Sequence, residues 1–108
     1  ILMWGGNGLP APQKLRERRG PEPEVHDPLP DSFDWRTQGA VTNVSDQGQA
    51  GTCWSFSTAE TLEGASFLAG KPLVALSKEQ IVDCDKGDCG VRGGWPHDAL
   101  DYIREAGG

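Results

Sequence analysis

Between positions 47 and 54 the chain reads Gln47-Gly48-Gln49-Ala50-Gly51-Thr52-Cys53-Trp54, which puts a thiol at the start of an apolar run, just after a glycine-containing loop with an amide side chain. These are the parts of a cysteine nucleophile. A helix N-terminus presents unpaired N–H groups and a partial positive charge, and both favour a thiolate over a thiol. Attack of that thiolate on a carbonyl creates an oxyanion, which needs fixed donors close by. The Gln47 side-chain amide and the Cys53 backbone N–H are the candidates. Taken singly, Cys53 would be read as a buried inert thiol and Gln47 as an ordinary surface amide. Their six-residue spacing joins them into one site.

The element that must present Cys53 is a helix. From Cys53 to Ala69 the apolar residues Trp54, Phe56, Ala59, Leu62, Ala65, Phe67, Leu68 and Ala69 fall on more than one face, the pattern of a helix buried within a domain. Thr52 is placed to cap its start and Gly70 to end it. A second helix is predicted from Lys78 to about Cys84. Ser77 and Gln80 have the spacing of a capping box, and Leu76 and Ile81 stand at the two positions of a hydrophobic staple. A third opens at Trp95-Pro96, proline being favoured at a first helical position. It carries Ala99, Leu100, Ile103 and Ala106 on one side and stops at Gly107-Gly108. Strand signal is confined to Ala40-Val41-Thr42-Asn43-Val44, so a mainly helical chain is expected.

Composition narrows the function classes. Residues 31–108 hold six Lys or Arg against twelve Asp or Glu, which accounts for the whole net charge of −6 and argues against nucleic-acid binding. No stretch approaches the roughly 20 apolar residues of a membrane span, and Ile1 to Trp4 is too short for a signal-peptide core. Six of the eight prolines fall in the first thirty residues, with Gly5-Gly6-Asn7-Gly8 and the basic run Lys14-Leu15-Arg16-Glu17-Arg18-Arg19. That composition reads as exposed linker and leaves about eighty residues to build a core, marginal for an autonomous fold.

Three further motifs accompany the cysteine: Asp34-Trp35-Arg36 upstream, Ser55-Phe56-Ser57 after Trp54, and Gly93-Gly94-Trp95-Pro96 downstream. With them, residues 29–108 resemble the papain-like cysteine proteases, the family of the cathepsins. The resemblance implies an α+β papain-like fold, of which this chain covers mainly the helical left domain and lacks most of the β-rich right domain that closes the cleft. It implies a zymogen, with the end of a prosegment or linker in residues 1–28 and the N-terminal half of a truncated peptidase domain in residues 29–108. Leu29-Pro30-Asp31-Ser32-Phe33-Asp34-Trp35-Arg36 looks like a mature N-terminus, and the basic run before it is either a processing site or a solvated charge cluster.

The implied activity is endopeptidase hydrolysis of peptide bonds through an acyl-enzyme on Cys53, with Gln47 as oxyanion donor. The implied substrate-binding residues are Gly51 along the approach, Trp54 as an apolar floor, Gly93 and Gly94 beside an extended substrate, and Trp95 with Pro96 as a pocket wall suited to a hydrophobic side chain. Peptide or protein substrates and the chain's own prosegment, acting as inhibitor, are the implied partners of a monomer with a secreted, lysosomal or vacuolar destination. No cofactor is implied. Zinc is a poor fit, because Cys84, Cys89 and His97 lack a regular ligand spacing and a fourth partner.

The family's His and Asn follow its cysteine by roughly 130–150 residues, whereas 55 residues follow Cys53. Neither His26 nor His97 fits that place, so the chain is expected to be inactive by itself. An alternative is a non-catalytic papain-like peptide-binding protein that kept the cysteine without its histidine. A small cysteine-based redox protein is a further rival, weakened by the absence of a Cys-x-x-Cys motif.

The chain departs from the family pattern at two paired places. The family usually bridges a cysteine three residues before the nucleophile to one two residues before the double glycine, and here those positions are Ala50 and Val91. Loss of both together leaves no orphan thiol. Cys84 matches a family cysteine whose partner would lie beyond residue 108. Cys89 has no clear counterpart, and a bridge to Cys84, a bridge to a downstream cysteine and a shifted alignment all stay open. Asn43-Val44-Ser45 fits a glycosylation acceptor, a motif short enough to arise by coincidence.

Overall fold

A computed structural model describes residue 24 and residues 27–108. The prosegment or linker assigned to residues 1–28, with its basic run and His26, lies almost wholly outside the described residues.

Three helices carry the structure: α1 (Cys53–Leu68), α2 (Lys78–Cys84) and α3 (Pro96–Ala106), with a single 3₁₀ turn at Gly90–Arg92 between the last two. Both α2 and α3 pack against α1. Their meeting line is a small core of Trp54, Ala59, Ile81 and Ala99, with Val82 and Ile103 packed at its edge.

Each helix ends where its sequence chemistry says it should. Ser77 Oγ accepts from the Gln80 N–H at 3.1 Å, which starts α2 at Lys78. Pro96 opens α3, and Gly107 closes it in the left-handed conformation at φ 97°, with the Gly108 N–H reaching the Ile103 carbonyl at 3.0 Å. Past α1, Gly70 turns the chain at φ 87° and Lys71 N–H donates to the Ser66 carbonyl. The start of α1 is different. Thr52 occupies the cap position at φ −109°, but its side chain makes no capping bond.

Two expectations are corrected. The helix α1 does not bury every face: Leu68 is exposed, and the buried positions are Trp54, Ser55, Thr58, Ala59 and Glu63. Most of that face is polar, and its polar groups are satisfied internally. Ser55 Oγ donates to the Thr52 carbonyl at 2.9 Å and Thr58 Oγ1 to the Trp54 carbonyl at 2.8 Å. Glu63, only 2% exposed, accepts from Thr42 Oγ1, from the Leu76 N–H at 2.8 Å and from Lys78 Nζ at 3.1 Å. Burial alone would raise the Glu63 carboxyl, but these three donors outweigh it and hold the group below its usual range.

The second correction concerns residues 40–44, which form no strand, nor does any other stretch among the described residues. A β-branched run needs a neighbouring strand for its backbone groups. Instead Ala40 is buried under α1, Thr42 spends its hydroxyl on Glu63, and Val44 is fully exposed.

An open apolar groove of about 180 Å³ lies between the three helices, lined by Leu62, Leu76, Ile81, Tyr102 and Ile103 among others. It includes no residue of the cysteine loop or the glycine loop.

Candidate active site

The cysteine loop and the glycine loop meet at the N-terminus of α1. Cys53 is the first residue of the helix, half-buried and free. Cys53 stands at the first helical position, and no described residue accepts a hydrogen bond from its N–H. Thiol and open donor therefore belong to one residue. Gln47, half-buried on the preceding loop, donates its Nε2 to the Ala50 carbonyl at 2.7 Å, which anchors the side chain while one of its two N–H bonds stays available. Asp46 Oδ1 accepts from the Gly48 N–H at 2.8 Å and fixes the turn at Gly48, whose φ is 63°.

Gly51 joins the two loops. Its N–H donates to the Val91 carbonyl at 2.9 Å, and a Cβ at this position would lie 2.9 Å from that same oxygen. The bond sits where Ala50 and Val91 replace the family's bridged cysteines.

Trp54, expected as an apolar floor, is 1% exposed and belongs to the core. Its indole Nε1 donates to the Gly90 carbonyl at 3.1 Å, and its ring lies under Gly94. It is a floor in the literal sense, supporting the glycine loop from below.

The two glycines do separate work. Gly93 is buried at φ 128°, a conformation open to glycine, and both of its peptide groups are taken: its N–H donates to Gly90 at 3.4 Å and its carbonyl accepts from the Cys89 N–H at 3.0 Å. Its backbone is thus tied into the glycine loop itself. Gly94 makes no such bonds. A Cβ on Gly94 would lie 2.6 Å from Trp54 Cδ2 and 2.7 Å from Asp88 Cγ, so its missing side chain is demanded from inside the protein.

Trp95 follows, half-buried, with its N–H donating to Asp88 Oδ1 at 2.8 Å and its ring centroid 6.0 Å from that of His97. Pro96 starts α3. Sequence reasoning missed Asp85 and Asp88 as supports of this loop. The only signal was two acidic residues flanking Lys86-Gly87 in an otherwise glycine-rich turn.

Comparison with known proteins places this arrangement. The profile of the papain family cysteine proteases matches residues 29–108. The chain belongs to that family. It is 51% identical over 89 residues to cysteine proteinase 15A of Pisum sativum, a match covering 74% of this chain and 24% of the relative. To digestive cysteine proteinase 2 of Homarus americanus it is 51% identical over 83 residues, covering 75% of this chain and 26% of the relative. Among solved structures, a recombinant stem bromelain precursor superposes with a TM-score of 0.70 at 39% identity, over 74% of this chain and 26% of that one. The proform of the ragweed pollen protease Amb a 11 gives 0.68 at 44% identity, over 73% and 24%. This papain family chain thus spans about a quarter of the length of these relatives, and its three helices are the helical part of a papain-like fold.

Cys53, Cys84 and Cys89 are free thiols in the structure. The last two are exposed. No group of three or more His, Cys, Asp or Glu residues suited to a metal ion occurs among the described residues.

Proposed function

We propose that residues 29–108 form the nucleophile half of a cysteine endopeptidase that hydrolyses peptide bonds through an acyl-enzyme on Cys53. The observation that carries this reading is the start of α1, where one residue, Cys53, holds both the thiol and an N–H without an acceptor, six residues after the anchored amide of Gln47. The Cys53 thiolate attacks the scissile carbonyl, and the C–S bond forms as the carbonyl π pair moves onto oxygen. The Cys53 N–H and the second Gln47 N–H bond the resulting oxyanion. A general acid then protonates the leaving amine, and water releases the acid product from sulfur. That acid is a histidine, oriented by an asparagine, contributed by sequence beyond residue 108, so the 108-residue chain alone binds without turning over.

Substrate lies as an added strand along Gly94, whose N–H and carbonyl are open, with Trp95 and Pro96 walling a pocket for an apolar side chain and Gly51 lining the approach. The proteins solved as a precursor and in proform support a prosegment that occupies the same cleft before processing. The family relationship also supports a secreted, lysosomal or vacuolar destination for a monomer. Cys84 and Cys89 are the candidates for disulfides, with each other or with cysteines beyond residue 108.

The test is Cys53→Ala in the full-length protein carrying this sequence. Peptidase turnover should vanish while the fold, read by circular dichroism, is kept. The epoxide inhibitor E64, which a bromelain structure holds in complex, should label the parent protein at Cys53 and leave the variant unlabelled. Peptide binding without cleavage by the unsubstituted full-length protein would favour the non-catalytic alternative.

A further inference from the structure

The loop from Asp85 to Trp95 carries Gly94 and Trp95, yet its own internal support is two carboxylates. Asp85 is 5% exposed and accepts from the Gly87 N–H through Oδ1 at 2.8 Å. Asp88 accepts from the Trp95 N–H through Oδ1 at 2.8 Å, and its carboxyl forms the wall against which Gly94 is packed. That leaves one oxygen on each side chain. Both Oδ2 atoms are buried, and neither has a donor among the described residues. The two residues stand three apart on one tight loop, and Asp85 is among the groups that act on the Asp88 carboxyl.

Two ionised carboxylates cannot satisfy this geometry, since each offers acceptors only, and buried acceptors without a donor are costly. A single proton shared between them resolves it. We propose that Asp88 is a positioning residue for the substrate-pairing edge of the cleft, and that it holds Gly94 and Trp95 in place as the protonated member of a carboxyl–carboxylate pair with Asp85. This rests on the peptidase reading given above.

The surroundings favour the proton. Burial comes first, and the negative charges of Asp85 and, from α3, Asp98 act in the same direction, against the Trp95 N–H. Together they push the Asp88 carboxyl up to about 6. Of the basic side chains in this stretch, Lys86 Nζ donates to the Asp83 carbonyl at 2.6 Å and the His97 ring faces Asp98 at 3.4 Å. Above that pH both carboxylates ionise, repel, and loosen the tie to Trp95. The cleft edge is thus firm in mild acid and slack at neutrality.

The conservative variant separates this from plain packing. Asp88→Asn keeps an acceptor for the Trp95 N–H and offers a permanent N–H to Asp85, so it mimics the shared proton at every pH. In the full-length enzyme, KM for a peptide substrate should rise severalfold between pH 5 and pH 7 while the Asp88→Asn variant shows a flat KM. Asp88→Ala should raise KM by roughly tenfold at pH 5, with the loss falling on KM rather than kcat.

A second readout needs no activity. In the 108-residue chain, the Asp88 side-chain carbon resonance should titrate near 6, and exchange of the Trp95 amide proton should quicken through that range beyond the intrinsic pH effect. Asp85→Asn should abolish both features. If the enzyme proves inactive but these resonances behave so, the peptidase reading fails and the shared proton stands. An Asp88 carbon titrating in the ordinary carboxylate range, or a KM in Asp88→Asn that follows the wild-type pH profile, overturns the proposal.

Discussion

The Gly51 N–H meets the Val91 carbonyl at 2.9 Å, and this backbone bond ties the loop that precedes Cys53 to the loop that carries Gly94. Family members usually add a disulfide one residue away on the first loop, where this chain has Ala50. Restoring it as Ala50→Cys with Val91→Cys should close a long loop and raise the unfolding free energy by about 2–4 kcal/mol in oxidising buffer. Denaturant titration with and without reductant checks it. A gain that persists after reduction would show that packing, not the bridge, is responsible. Gly51→Ala should act in the opposite direction, because its Cβ would crowd the Val91 oxygen.

Gly93 and Gly94 should both resist substitution, for reasons that a double-mutant cycle can separate. Gly94→Ala drives a methyl into Trp54 and Asp88, an overpacking cost of about 1–3 kcal/mol. Gly93→Ala forces an alanine to φ 128°, a backbone strain of about 1–3 kcal/mol with no side chain to blame. Combining each with Asp88→Ala should recover part of the Gly94→Ala loss and none of the Gly93→Ala loss.

Why the helices could be read from sequence while the polar interior could not is visible at particular residues. Ser77 acts through its own hydroxyl on the turn that follows, and Pro96 and Gly107 through their own backbone, so local chemistry places the start of α2 and both ends of α3. The octapeptide around Cys53 places that thiol at a helix start because its spacing along one loop and one first turn is local. Glu63 and Asp88 carry no such signal, since their partners are Thr42, Leu76, Lys78 and Trp95, brought near only by packing. The same reason explains residues 40–44, where β propensity was present and a partner strand was not. Trp54 was legible as a floor, but only the packing shows that it holds up Gly90 and Gly94 without reaching the surface.

The caps of α1 and α2 should respond unequally to loss of a hydroxyl. Ser77 makes its capping bond and Thr52 does not. Ser77→Ala should therefore cost about 1 kcal/mol. Thr52→Val, which keeps the shape of this buried side chain, should be nearly neutral, because replacing an unneeded polar group by an apolar one of the same form carries little penalty. Thermal denaturation of the two variants gives the comparison, and a Thr52→Val loss as large as that of Ser77→Ala would contradict the uncapped first turn.

Glu63 and Asp88 should give the chain opposite responses to pH. Glu63 is held below its ordinary value of 4.5, so its ionised form is favoured by the fold and its contribution is lost as pH falls through and below that value. Asp88 is raised from 3.8 to about 6, so the folded state binds more protons than the unfolded chain between those values and its contribution is lost as pH rises across them. The two slopes define a stability maximum in mild acid. Glu63→Gln should flatten the acidic side of the profile and, by leaving Lys78 without its buried partner, lower stability at the maximum by about 3 kcal/mol. Asp88→Asn should leave the acidic side as it is and flatten the decline from pH 4 to 6. Urea midpoints of the three proteins, measured from pH 3 to 8, resolve both effects. A wild-type profile that climbs steadily through pH 4–7, or an Asp88→Asn profile that still declines there, would show that the carboxyl pair does not govern that window.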